Sequence, residues 1–270
     1  MPGSHATRRV ELEICVDSIP SAISAERGGA NRIELCACLP QGGTTPTSSL
    51  IENARSQVSI DIHVMIRPRA GGFCYTSQEF QEMQQQILAA KRLGANGVVF
   101  GILKPDREVD SGRTRHLVEL AKPLRVTFHR AFDLAPDLPR ALEDLILAGA
   151  DRILTSGGKP AAMQGLAAIA NLVELAGERI GIIACGRIRP HNAAAIIQAT
   201  RVREIHSGLQ NIASTGDREL NDSDRAQLSF EDDSACPPAD SRATQPVNEP
   251  VNEPVNEEEV RELRRAVDIA

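Results

Sequence analysis

No apolar run in this chain approaches the roughly 20 residues needed to cross a bilayer as a helix, and residues 1–9 lack the apolar core of a secretory signal. Both absences point to a cytoplasmic protein with no membrane partner. Six cysteines (15, 36, 38, 74, 185 and 236) among 270 residues are too few for a secreted disulfide scaffold, and cytosolic thiols stay reduced by default. Tryptophan is absent, which excludes nothing. With 41% hydrophobic and 24% charged residues, the chain can bury a substantial core as a single α/β domain.

The net charge of −6 is unevenly spread: residues 211–257 hold eleven acidic residues against three arginines. The remainder is close to neutral and offers no basic footprint for nucleic acid. The same segment carries the repeat Val247-Asn248-Glu249-Pro250, Val251-Asn252-Glu253-Pro254, Val255-Asn256-Glu257. Proline at that frequency blocks helix and central strand, and few large apolar groups offset the entropy of ordering. Residues 211–257 therefore read as a disordered acidic insertion, a solvated linker first and a partner-docking motif second. It separates a barrel-forming region at 10–210, preceded by a flexible tail, from a closing helix at 258–270.

The most informative local pattern is a repeated Glu-x-Cys step, Glu13/Cys15 and Glu34/Cys36, each opposite an aliphatic stripe in a strand-like segment. If the two strands are parallel neighbours, period-two alternation sets Glu13 beside Glu34 and Cys15 beside Cys36, about 4.8 Å apart. Further strand signals lie at 60–66, 97–101, 125–128, 152–155, 180–184 and 202–206. Helical stretches fall at 21–28, 47–58, 77–93, 111–121, 138–148, 161–176, 190–198 and 258–267, with Gly94, Gly149 and Gly177 as C-caps. Eight β/α units in order predict a (β/α)8 TIM-type barrel; an open doubly wound sheet is the alternative.

In a barrel the aliphatic parity of each strand faces the helices and the other parity faces the lumen. The lumen parity here is polar: Glu13, Cys15, Glu34, Cys36, Asp61, His63, Arg67, Thr127, His129, Glu204 and His206. Burying so many charges is costly unless they pair with one another or hold a ligand. One arrangement is an ion-pair core with Arg67 bridging Glu13 and Glu34. The other is a pocket at the strands' C-terminal ends, where barrel sites sit. Arg67 and Arg69 suit carboxylate or phosphate recognition, and the turns Ser156-Gly157-Gly158 and Cys185-Gly186-Arg187 could present amides to an anion. His129, Glu13, Glu34 and Asp133 are the acid/base candidates, and His206 a ligand contact.

The strings Glu13-Ile14-Cys15-Val16-Asp17-Ser18, Asn31-Arg32-Ile33-Glu34-Leu35-Cys36, Gln41-Gly42-Gly43-Thr44-Thr45-Pro46, Ile66-Arg67-Pro68-Arg69 and Val126-Thr127-Phe128-His129-Arg130-Ala131-Phe132-Asp133 resemble the CutC family of copper homeostasis proteins. The resemblance spans about residues 10–210. It implies a cytoplasmic TIM-type barrel, oligomeric in many members and linked to copper through Cu(I), with Cys15 and Cys36 as the metal candidates. The alternative is an enzyme acting on a small anionic or phosphorylated metabolite, with His129 or a Glu as acid/base. Gly72 stands where the family usually has Asp, Cys185-Gly186-Arg187 replaces a more uniformly glycine turn, and the acidic insertion is unusual.

Overall fold

The computed structural model describes residues 9–209 and 253–270. Its sheet is a closed barrel of eight parallel strands in chain order: β1 (Glu11–Val16), β2 (Arg32–Leu35), β3 (Asp61–Met65), β4 (Gly97–Phe100), β5 (Arg125–Phe128), β6 (Arg152–Thr155), β7 (Gly181–Ala184) and β8 (Glu204–Ser207). Helices α1 (Ile19–Arg27), α2 (Ser48–Gln57), α3 (Ser77–Arg92), α4 (Ser111–Ala121), α5 (Leu138–Ala148), α6 (Leu166–Ala176) and α7 (Pro190–Thr200) alternate with them, and α8 (Glu257–Asp268) follows β8. The predicted (β/α)8 barrel is thus the observed fold. Local signals explain the helix boundaries. Ser18 and Thr47 cap α1 and α2, Thr76 and Glu79 form a capping box at α3, and Gly149 ends α5 in the left-handed region.

The main core lies between sheet and helices, where Leu12, Ile14, Ile33, Leu35, Ile62 and Val64 are fully buried. The last helix belongs to this shell: it packs on α7 and α1 and buries Val260, Leu263 and Val267. Most of the acidic insertion lies outside the described residues. Its predicted end at 257 shifts, because Val255 is buried, its N–H donates to Ser21 Oγ at 3.1 Å, and Asn256 caps α8. A valine in the last repeat unit has an apolar seat on the barrel, which outweighs the composition around it.

The strand register also departs from the level pairing expected. Cys15 is opposite Glu34, Glu13 is opposite Arg32 on one side and His206 on the other, and Glu34 is opposite His63. A closed barrel requires neighbouring strands to be staggered. The stagger sets a cation, not a second carboxylate, beside Glu13.

Candidate functional site

The lumen is built in two tiers. In the lower tier, nearer the strand starts, Arg32 is buried and its guanidinium reaches three carboxylates: Glu13, Glu11 at 3.2 Å and Glu204 at 2.8 Å. Arg152 holds Glu204 from the far side at 2.9 Å. Arg67 does not bridge Glu13 and Glu34. It leaves β3 at the mouth and donates to the carbonyls of Gln41, Gly43 and Gly71 at 3.1, 3.0 and 2.8 Å, with its guanidinium 5.0 Å from the Phe73 ring centre. It closes the β2–α2 loop rather than neutralising the lumen acids.

The upper tier brings both thiols to one point. Cys15 Sγ and Cys36 Sγ are 3.7 Å apart, and Cys36 Sγ is 3.5 Å from Glu34 Oε2. His206 Nδ1 is 2.7 Å from Glu13 Oε1, and its Nε2 is 4.0 Å from Glu34 Oε2. His206 and Cys15 line the same cavity, and the imidazole's charge acts on the thiol. Met65 packs against the two cysteines, and the Gly43 backbone covers Cys36.

These contacts divide the titrations. Burial alone would raise Glu13, but Arg32 and then His206 hold it well below the usual carboxylate range. Glu34, on the next strand, has no guanidinium: burial pushes it well above that range, the charges of Cys15 and Glu13 add to the rise, and His206 opposes it only in part. The hydrogen bond from Cys36 pulls the Cys15 thiol down to about 6, against burial and with help from His206. The same bond, with burial, pushes Cys36 up. For His206 burial is again opposed, and the carboxylates and Cys15 raise it well above 6.5.

Above the thiols opens a cavity of about 290 Å³. Cys15 lines it and Cys36 does not; Met65, Phe73 and Leu154 supply apolar wall, and Arg67, Arg130 and Arg189 supply cations. His129 also lines it, and its position depends on a missing side chain, since a Cβ at Gly101 would lie 2.5 Å from His129 Nδ1. That nitrogen accepts from the Ala131 N–H at 3.2 Å, while Nε2 is buried without a partner. Burial, with Arg67 nearby, pushes His129 down to about 3. It is therefore a neutral ring whose remaining hydrogen is on Nε2, a donor rather than the expected general base.

Several expected ligand contacts are already engaged elsewhere. Asp133 accepts from Thr155 Oγ1 at 2.6 Å, from the Ser156 and Gly158 amides at 3.1 and 2.9 Å, and from Arg130 at 3.0 Å. The amides of Ser156 and Gly158, expected to seat a phosphate, thus already hold a carboxylate of the protein, and Gly157 N–H is taken by Thr155 Oγ1 at 2.9 Å. Asp133 organises this loop and is not among the residues lining the cavity. Arg69 is likewise committed, to Glu79 at 2.5 Å and to the carbonyls of Ala70, Gly72 and Cys74. Asp61 is exposed at the start of β3. Sequence reasoning missed Arg32, Arg130 and Arg189. Arg32 shares the parity of Glu34, a signal that was available, whereas Arg189 sits at the N-cap of α7 and nothing local marks it for the cavity.

A thiol pair with a nearby thioether and two flanking oxygen or nitrogen donors is a soft-metal donor set. Cys15, Glu34 and Cys36 form one group of mutually close potential ligands; Glu13, Glu34 and His206 form another, although Glu13 is already bound to Arg32. No helix among the described residues is long and apolar enough to cross a membrane.

Comparison with known proteins places this barrel. The copper homeostasis protein cutC homolog of Homo sapiens is 42% identical over 212 residues, covering 78% of each chain. A family protein CutC of Chromobacterium violaceum is 45% identical over 199 residues, covering 74% of this chain and 81% of its own. The CutC crystal structure from Streptococcus agalactiae superposes with a TM-score of 0.70 at 32% identity, over 73% of this chain and 97% of that one. Thiamine phosphate pyrophosphorylase from Pyrococcus furiosus, at 14% identity and a TM-score of 0.57, shares the fold alone. The CutC family model matches residues 10–211, the whole span that builds the eight strands and both tiers of the lumen, and the chain belongs to the CutC family.

Proposed function

We propose that this protein serves copper homeostasis by binding Cu(I) through Cys15 and Cys36 at the C-terminal mouth of the barrel. The carrying observation is the 3.7 Å separation of the two sulfurs, which one metal ion can bridge with metal–thiolate bonds of about 2.3 Å. Thiolates select Cu(I) over harder cations. Met65 adds a third soft atom in the same cluster, and Glu34 and His206 stand at its edge to orient the thiols. Cys15 is the point of entry because it alone of the pair faces the cavity.

Titration of Cu(I) against a chromogenic chelator under reducing conditions tests this. Cys15→Ser and Cys36→Ser should each weaken binding at least tenfold while circular dichroism stays unchanged, and Cys38→Ser should leave affinity as it is. Undiminished affinity in the Cys15/Cys36 double variant would remove both residues from the site.

A further inference from the structure

A two-thiol copper site has no need of an arginine-lined cavity, nor of a histidine held by a carboxylate that is itself clamped from below. Both features surround Cys15. We propose that Cys15, His206 and Glu13 form a thiol–imidazole–carboxylate relay, and that Cys15 is the nucleophile of a hydrolase for small anionic esters or thioesters.

The relay is fixed by the sheet. Glu13 and Cys15 are alternate residues of β1, and His206 is the residue of β8 opposite Glu13. Arg32 takes Glu13 Oε2, which leaves Oε1 to receive the His206 Nδ1 hydrogen at 2.7 Å. With Nδ1 so occupied, Nε2 is the nitrogen left toward Glu34 and the cavity that Cys15 and His206 both line, and the raised imidazole and lowered thiol form an imidazolium–thiolate pair. A base oriented by a third group beside a nucleophile is the general arrangement of covalent acyl transfer. All three members sit on strands, so their mutual geometry does not depend on a loop.

The cavity defines the substrate. At about 290 Å³ it is at the small end of ligand sites, which suits a short acyl chain against Met65, Phe73 and Leu154. Its charge is cationic. Arg67 has no carboxylate within ion-pair range among the described residues, and Arg189 has only Glu259, at 3.9 Å. Two guanidinium groups are thus available to an anionic end.

The chemistry closes without an oxidant or cofactor. The Cys15 thiolate bonds to the acyl carbon while the His206 imidazolium keeps its proton on Nε2. The carbonyl carbon's bond to the leaving oxygen or sulfur breaks, and that atom takes the proton from Nε2. A water then attacks the thioester and gives a proton to Nε2, the carbon–sulfur bond breaks, and Cys15 leaves as the thiolate beside the restored imidazolium. One water is consumed, and one carboxylic acid and one alcohol or thiol are released.

The test uses metal-free, reduced, full-length protein with mono-para-nitrophenyl succinate and, as the neutral counterpart, para-nitrophenyl butyrate. We expect a burst of about one nitrophenolate per protein followed by slower turnover, with the succinyl group on the Cys15 peptide by mass spectrometry. The anionic ester should react at least tenfold faster than the neutral one. Cys15→Ala should abolish the burst, and His206→Gln should slow acylation by about a hundredfold or more. Glu13 acts through His206 as a positioning residue, so Glu13→Gln should slow acylation and Glu13→Asp should restore part of the rate. Circular dichroism screens each variant for folding, and Cys15→Ala, the mildest change, decides the matter if the others do not fold. Label on Cys38 or Cys74 instead of Cys15, or a Cys15 acylation rate unaffected by His206→Gln in a folded variant, would overturn the relay. Because no copper is present, failure here leaves the Cu(I) proposal standing, and the converse also holds.

Discussion

The two tiers of the lumen contain similar residue types and use them in opposite ways. In the lower tier Arg32 and Arg152 meet Glu11, Glu13 and Glu204, and every one of those carboxylates has a cation. In the upper tier Arg67 hydrogen-bonds backbone carbonyls and pairs with no carboxylate among the described residues, Glu34 Oε1 and His129 Nε2 have no partner, and Glu34 and His129 line a cavity. Buried charges that satisfy one another place no demand on a ligand; buried polar groups without partners do. The lower tier supports the barrel and fixes Glu13, and the upper tier holds unpartnered polar groups beside a cavity.

The sharpest way to break that division is Arg32→Met. It leaves three carboxylates around an apolar side chain, and removal of one partner of a buried pair costs about 3–5 kcal/mol. In the wild type Glu13 is held below its unfolded value, so its contribution is present above that value and is lost as pH falls through the folded one. In the variant, burial is no longer opposed by Arg32 and Glu13 titrates above its unfolded value. The folded variant then binds the extra proton, so its deficit against wild type should shrink as pH falls from 7 toward about 4.5. Urea melts across that range check it. A constant deficit would mean that His206 alone keeps Glu13 ionised.

His63 is the exception within the lumen and gives the next largest effect. It is fully buried opposite Gly97, where a Cβ would come within 2.6 Å of the ring, and both ring nitrogens lack partners. Burial first, then the Arg32 charge, push it down to about 3. The unfolded chain therefore binds a proton that the folded one refuses between about pH 6.5 and 3, and stability falls as pH falls through that window. At pH 5 relative to pH 8, wild type should lose about 2 kcal/mol more than His63→Leu. Parallel stability curves for the two proteins would show that the ring is solvated.

Much of this division is legible in the chain, and the part that is not has a physical cause. Alternation of aliphatic and polar residues marks the lumen faces, because side-chain period in a strand is fixed at two. The thiol pair is legible for the same reason: Cys15 and Cys36 sit at the exits of adjacent strands, and their side chains meet even though their Cα positions are not level. Partner identity is harder, because it depends on the stagger between strands, a property of the whole closed barrel. A level register gives Glu13 an acidic neighbour and turns attention to Arg67; the true register gives it Arg32. The fate of the Ser156 and Gly158 amides was hidden for a different reason. Asp133 lies more than twenty residues upstream, and only the path of the chain after β5 brings its carboxylate beneath them.

Arg67→Met sharpens the comparison with the smallest effect, and it is informative because two buried arginines are being set against each other. Arg67 is as buried as Arg32 and makes as many hydrogen bonds, but its acceptors are three loop carbonyls at the mouth. Water can reach loop carbonyls once the guanidinium is gone, and the cost of desolvating that guanidinium is recovered. The loss should be about 1–2 kcal/mol. No carboxylate is released by the change, so acidification has nothing to rescue: the deficit of Arg67→Met should stay flat from pH 8 to pH 5, where that of Arg32→Met shrinks. Removing Arg67 also relieves one of the forces that hold His129 down, but that ring titrates below this window and cannot tilt the curve. Melts of the two variants side by side therefore distinguish a cation that neutralises the lumen from one that braces the β2–α2 loop. A deficit for Arg67→Met that narrows on acidification would show that Arg67 screens Glu34 through the cavity, and the two tiers would then be one electrostatic unit.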